Sequence, residues 1–113
     1  MPDIYSTQPK LHRSGVTTVD ASDPADTSGA VDTRGYQECR FDITITGTAL
    51  ESLEVQVLFW NARQGIWMGG GRRIFTTTGK HAVVVESRGA IIFLKVTAFS
   101  GSSFLLAADY VLS

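Results

Sequence analysis

Apolar and polar residues alternate along residues 39–46, which is the period of a β-strand with one buried face. Cys39, Phe41, Ile43 and Ile45 share one face of this segment, and polar residues lie between them. The alternation returns at Leu53 and continues to residue 60. Because no segment shows a sustained helical period, the pattern predicts an all-β protein.

Glycine- and serine-containing segments divide the rest of the chain into strands of similar length. The glycine triplet at 69–71 is expected to interrupt a strand, as a bulge or a flexible loop. This spacing is typical of a small antiparallel β-sandwich or jelly roll. We predict strands over 36–46, 53–60, 66–68 continued at 74–77, 81–86, 90–99 and 104–112, separated by turns at 47–52, 61–65, 78–80, 87–89 and 100–103.

Residues 1–35 differ from the rest in composition. They contain all three prolines, a single aromatic residue and five aspartates. Only residues 16–19 have the pattern of a short strand. We therefore predict an extended N-terminal arm over 1–35 and a β-sandwich body over 36–113.

Two of the predicted strands, 90–94 and 104–108, are apolar on both faces. Leu58 and Trp60 also lie opposite the main apolar face of their strand. An antiparallel sheet in a monomer is usually apolar on one face only, and so small a body cannot cover both faces itself. We expect the second face to be covered by the arm, by a second copy or by a larger partner.

Composition and charge limit the class of protein and the kinds of molecule it binds. The chain has 113 residues, 43% of them hydrophobic and 19% charged, which fits one domain around an apolar core. The net charge of −1 argues against binding nucleic acid through bulk charge. The single cysteine excludes an intrachain disulfide. Residues 1–15 lack the apolar run of a signal peptide, and the apolar run at 90–94 is too short to cross a membrane.

No motif in the chain assembles a recognisable catalytic or metal site. Cys39 shares its face with apolar residues and is expected to be a core residue. The segment 71–81 departs from a phosphate-binding loop at Ile74 and at His81. We therefore expect a protein that is not an enzyme and has no cofactor. His12 and His81 lack the spacing of a metal site, and the four aspartates Asp20, Asp23, Asp26 and Asp32 only loosely resemble a calcium-binding loop. An enzyme would need an acid–base cluster, and no spacing indicates one among Asp42, Glu54, His81 and Glu86.

Both tryptophans flank the predicted turn at 61–65, so Trp60 and Trp67 should meet across a hairpin. Buried, they would be anchors of the core or of a subunit interface. Exposed, they could stack on sugar rings, which would indicate a carbohydrate-binding or receptor-binding module. Arg72 and Arg73 come next in the sequence. They are expected either to lie in a solvated loop or to form salt bridges with a neighbouring copy, whose aspartate-rich arm offers carboxylates.

The segment from Val31 to Ile43 resembles an opening found in small β-sandwich virion proteins of tailed bacteriophages. There a D-T-x-G-Y stretch leads into the first core strand, and a W-x-x-G hairpin follows. The matching positions here are Asp32, Thr33, Gly35 and Tyr36, then Trp67 and Gly70. The resemblance implies a capsid decoration (cement) protein or another head or tail component, with an arm laid across neighbouring subunits.

Together these features predict a structural protein of a virion that is assembled in the host cytoplasm. Its partners would be capsid or other virion proteins and further copies of itself, most simply as a trimer, with no nucleic acid or membrane. Deleting residues 1–35 would lower assembly and leave the body folded. The residues predicted at interfaces are Trp60, Trp67, Arg72, Arg73, Ile91, Phe93, Phe99 and Leu105.

Overall fold

The structure, a computed structural model, describes residues 13–14 and 19–113. Within these residues the chain is all-β and forms one curled antiparallel sheet of six strands. The fold class predicted from the alternation is confirmed, and the curled sheet is compatible with a sandwich. The strands are β1 (Arg13–Ser14), β2 (Val31–Asp32), β3 (Cys39–Asn61), β4 (Ile66–Phe75), β5 (Gly79–Val85) and β6 (Ile91–Leu112).

Two long strands, β3 and β6, pair along nearly their whole length and carry the sheet. The first half of β3 pairs on its other side with β5, and its second half pairs there with β4. The outer edge of β6 pairs with β1 near one end and with β2 near the other. The sheet thus has a first half around residues 39–47 and a second half around residues 53–61.

The turns predicted at 47–52 and 100–103 are wrong, because β3 and β6 run through both segments without a break. Pairing continues through the bend, where Leu50 lies opposite Gly101, with a register shift before Ser52. Gly47 and Gly101 have positive φ angles of 131° and 111°. Glycine adopts this backbone without strain, so both strands bend together instead of ending.

The glycine triplet behaves as a bulge. It does not interrupt β4: the strand continues through it, while the register shifts between the pairs Gln56–Arg72 and Leu58–Gly69. Two glycines on β4 therefore face one residue of β3, which confirms the bulge and corrects the predicted break. At Gly70 an added Cβ would meet the Phe59 ring at 2.6 Å, so only glycine fits there.

One cluster of buried side chains fills the inner face of the curled sheet. The residues predicted to face inward in the first half, Phe41, Ile43 and Ile45, are each at most 1% exposed. They form one cluster with residues of the second half, including Leu53 and Leu94. Val31 of β2 also belongs to this cluster, although its segment was predicted to be arm.

Of the predicted arm, the described part lies against its own chain. Residues 31–32 pair with β6 at residues 91–92, and Asp20 donates its backbone N–H to the Val96 carbonyl oxygen at 2.9 Å. The strand predicted at 16–19 falls mostly outside the described residues, and Val19 is not in a strand. Whether the arm also reaches a neighbouring copy stays a prediction.

Candidate interaction surfaces

The outer face of the second half carries an aromatic patch, formed by Leu58, Trp60, Trp67 and Phe93. The register brings these residues together: Trp60 lies opposite Trp67, and Leu58 lies opposite Phe93. The indole rings of Trp60 and Trp67 meet edge to face with centroids 5.2 Å apart. Trp67 also lies 6.1 Å from the Phe93 ring. The predicted contact between the tryptophans across the hairpin is confirmed.

Residues 20–30 form a strap that leaves the edge of β6, crosses the aromatic patch and returns to β6. The Pro24 carbonyl oxygen accepts a hydrogen bond from Trp67 Nε1 at 2.9 Å. The Asp23 carboxylate lies 2.9 Å from Lys95 Nζ. At the start of the strap, Asp20 Oδ2 accepts the Val96 backbone N–H. The sequence left three possible covers for the second apolar face. In the second half of the sheet, the arm of the same chain is the one observed.

The strap decides how the tryptophans can act. Trp67 is 8% exposed, and its only polar atom is bonded to Pro24. Trp60 is half-buried. Stacking on a sugar ring needs an open indole face, which Trp67 does not offer while the strap is in place.

Arg72 and Arg73 lie on β4 next to a groove of about 320 Å³ between β4 and β5. Arg72 Nη1 contacts Glu54 Oε1 at 3.1 Å within the same chain. Asp23 of the arm contacts Lys95, so Asp23 and Arg72 have separate partners within this chain. A salt bridge between the arm and the arginines of a neighbouring copy stays a prediction.

The other residues predicted at interfaces differ in accessibility. Ile91, Phe93 and Phe99 are half-buried, and Phe99 packs against Phe104 with ring centroids 5.2 Å apart. Leu105 is 50% exposed and is therefore available for a contact.

Of the residues that carry the phage resemblance, Asp32 ends β2, and Thr33, Gly35 and Tyr36 form the turn into β3. Thr33 is fully buried, and its Oγ1 donates to the Ala90 carbonyl oxygen at 2.6 Å. Tyr36 donates its backbone N–H to the Thr33 carbonyl oxygen, and Gly35 between them has a φ of 90°. The Arg34 guanidinium hydrogen-bonds both oxygens of Asp32 and lowers the pKa of that carboxyl. These positions are a structural element of this fold.

The four aspartates with calcium-like spacing do not converge. Asp20 binds the Val96 backbone, Asp23 binds Lys95, Asp26 binds Ser28 and Asp32 binds Arg34. Hydrogen bonds from Ser28 lower the pKa of Asp26. In the described part of the chain no group of three or more histidine, cysteine or acidic residues could hold a metal ion. His12 lies outside that part.

The acid–base set considered from the sequence is spread over the molecule. Asp42 and His81 line one cavity, while Glu54 contacts Arg72 in the other half and Glu86 lines the groove beside β5. Cys39 is fully buried, and burial together with the nearby Asp42 charge raises the pKa of its thiol to about 12. The core position predicted for Cys39 is confirmed.

The outer face of the first half was not singled out from the sequence. We call it the open face and define it by Asp42, Thr44, Lys80, Ala82, Ala107 and Asp109, which line a shallow cavity of about 470 Å³. The register creates this face: Thr44 lies between Lys80 and Ala107, and Asp42 lies between Ala82 and Asp109. Residues from three strands meet there only after the strands have paired.

No protein-family model matches this chain, and neither the curated proteins nor the solved structures give a match. No helix long and apolar enough to span a membrane occurs within residues 13–14 and 19–113.

Proposed function

We propose that this protein is a non-enzymatic structural component of a tailed-phage virion, in particular a capsid decoration protein. It would bind the shell and further copies of itself through contacts repeated by symmetry. The resemblance of residues 31–43 and of the Trp67–Gly70 hairpin supports the virion setting. The observation that carries the assembly role is the apolar surface of the two edge strands, β4 and β5.

These edge strands present large apolar side chains to solvent. Neither strand has a described partner on its outer side. A strand edge that combines unpaired backbone groups with apolar side chains is a site for pairing with another chain. The exposed fractions are 47% for Ile66, 48% for Met68, 62% for Ile74 and 56% for Val84.

The outer edge of β6, in contrast, is covered by other segments of the same chain. Asp20, β1 and β2 of the same chain pair with it at separate points. Natural proteins commonly cover a sheet edge in this way to prevent unwanted association. The contrast between a covered edge and an apolar edge favours β4 and β5 as the side that meets other subunits. Many copies on a shell would then be held firmly by individually weak contacts.

The alternative predicted from the sequence, a glycan-binding module with exposed tryptophans, loses its premise at Trp67. Trp67 is 8% exposed and its indole N–H is bound to Pro24 of the strap, so it does not offer an open ring face to a sugar. We therefore keep glycan binding as a control outcome and do not propose it as a second function.

The test is co-sedimentation of the full-length protein with empty capsid shells of the phage that encodes it. We expect saturable binding at a fixed number of copies per shell. Ile74→Asp and Val84→Asp should each weaken binding at least about tenfold, because each places a charge in an apolar contact. Thr48→Asp, at an exposed position of the bend, is the matched control and should bind as the wild type does.

Failure of the wild-type protein to bind the shells would overturn the virion proposal. Binding that is unaffected by either edge substitution would overturn the role of β4 and β5. A glycan-dependent shift of tryptophan emission would favour the alternative module instead.

A further inference from the structure

The open face holds two carboxylates that lie directly opposite each other on adjacent strands. Asp42 of β3 is the register partner of Asp109 of β6. Like charges at directly opposed positions of an antiparallel pair destabilise it, unless a cation lies nearby. The electrostatics of this face therefore depend on which cations reach the two carboxylates.

Only one of these carboxylates has a cation within the described residues. Arg40 Nε and Nη2 donate to the two oxygens of Asp42 at 2.8 and 3.1 Å. No described residue forms a salt bridge or a hydrogen bond with the Asp109 carboxylate. On the opposite side of β3, the exposed Lys80 likewise has no described partner. Among residues 13–14 and 19–113, the open face thus carries one negative and one positive side chain without an ionic partner.

Small side chains separate these two charges, so another surface can approach closely. Thr44, Ala82 and Ala107 are small, and they share the cavity of about 470 Å³ with both charged residues. Leu105 and Val84, which extend the outer faces of β6 and β5, are 50% and 56% exposed. Small side chains bordered by exposed apolar ones form a surface that another sheet can cover.

We propose that the open face binds the open face of a second copy around a two-fold axis, so that Lys80 of each copy pairs with Asp109 of the other. The two charges lie on the strands that flank β3. A two-fold axis that is parallel to the sheet and passes over β3 between Asp42 and Thr44 therefore places Lys80 of each copy against Asp109 of the other. One isologous contact then forms two identical salt bridges. The proposal rests on self-assembly as stated under the proposed function, and it names the contact surface.

This contact makes the number of chains even, so it departs from the trimer expected from the sequence. It uses the outer face of the sheet and shares Val84 of β5 with the edge surface, so Ile74→Asp on β4 is the edge variant that leaves this contact unchanged. Pairs formed through the open face could connect subunits whose edge strands bind the shell.

The experiment uses two charge-reversed full-length variants, Lys80→Asp and Asp109→Lys, each alone and mixed in equal amounts. In a pair formed by one variant alone, like charges meet at both contact points. We therefore expect the dissociation constant of that pair to rise at least about tenfold. In the mixture the two variants differ in charge at both positions, so both salt bridges re-form between unlike copies. We expect a heterodimer with nearly wild-type affinity, measured by sedimentation velocity with one variant labelled.

Two further variants sharpen the test. Ala107→Arg places a bulky side chain on the open face and should prevent pairing, whereas Arg63→Asp in the exposed turn after β3 should leave it unchanged. High salt should weaken the wild-type pair because its salt bridges are screened. Circular dichroism of each variant confirms that the β-sheet is intact.

A wild-type protein that is monomeric or strictly trimeric would overturn the two-fold contact, as would a mixture that forms no heterodimer. Shell binding is measured separately. Pairing without shell binding would overturn only the virion proposal, and shell binding by a monomer would overturn only the two-fold contact.

Discussion

The indole N–H of Trp67 donates a hydrogen bond of 2.9 Å to the carbonyl oxygen of Pro24, a residue 43 positions earlier in the chain. This contact fixes the strap over the outer face of the second half of the sheet. The N-terminal segment that composition marks as an arm is thereby a cover for its own aromatic patch. The two tryptophans consequently have different surroundings, although their rings meet edge to face.

The strap predicts different solvent access for the two indoles. A Trp60→Phe variant retains the buried Trp67, whose emission should be blue-shifted and poorly quenched by acrylamide. A Trp67→Phe variant retains the half-buried Trp60 and should be quenched more strongly. Trp67→Phe should also lower the free energy of unfolding by about 1–3 kcal/mol, because the carbonyl of the half-buried Pro24 loses its donor and the buried ring becomes smaller. Equal quenching of both variants would show that the strap does not cover Trp67.

The described part of the arm contributes to the core through Val31, which is 2% exposed. Val31→Ala should lower the free energy of unfolding by about 1.5–3 kcal/mol, since it removes two buried methyl groups and leaves a cavity. Val19→Ala, at a residue 44% exposed, is the control and should change stability little. Urea denaturation measures both.

The same residue revises the expected effect of truncation. Deleting residues 1–35 removes Val31 and the buried Thr33, so it should destabilise the body as well as lower assembly. Deleting residues 1–12 retains both and is the better test of assembly. A 36–113 fragment as stable as the full chain would contradict this role of β2.

The bend of the long strands depends on Gly101. Its φ is 111°, and an added Cβ would lie 2.2 Å from the Ala49 carbonyl oxygen. Gly101→Ala should therefore cost at least about 2–3 kcal/mol of unfolding free energy, from backbone strain and overlap together. Gly71→Ala meets no atom within 4 Å and has no such φ, so it should be tolerated. Thermal melts of the two variants that coincide would rule out this role for Gly101.

The buried thiol of Cys39 predicts a loss of stability at alkaline pH. Its pKa is raised from 9.0 to about 12 in the folded state, chiefly by burial and further by the Asp42 charge. The folded protein therefore holds this proton more tightly than the unfolded chain does. The resulting stabilisation is complete below about pH 9 and is lost as the pH rises towards 12, by at most about 1.4 kcal/mol per pH unit.

Comparison with Cys39→Ala is needed because Tyr110 titrates in both proteins: burial raises its pKa in each, and the Cys39 charge raises it further in the wild type only. The wild type should lose more stability than Cys39→Ala between pH 9 and 11. At neutral pH the thiol should react with disulfide reagents only as fast as the protein opens. Rapid labelling of the folded protein would contradict the burial of Cys39.

Much of the fold could be predicted from local pattern. The alternation at 39–46 correctly placed Cys39, Phe41, Ile43 and Ile45 on the buried face, because side chains along a strand point alternately to its two sides. The contact between Trp60 and Trp67 followed from the short hairpin that joins their strands. The turns at 47–52 and 100–103 were mispredicted, because glycine and serine in two paired strands can bend both without ending either.

The sequence by itself determined the strand period, the all-β class and the presence of a second apolar face that needs a cover. Only the tertiary structure decided that residues 20–30 cover that face and that Asp42, Lys80 and Asp109 share a surface. The alternation of apolar and polar residues depends only on neighbouring positions, so each short segment shows it by itself. Which strands lie side by side, and in what register, depends on pairings between residues tens of positions apart, which no single segment specifies.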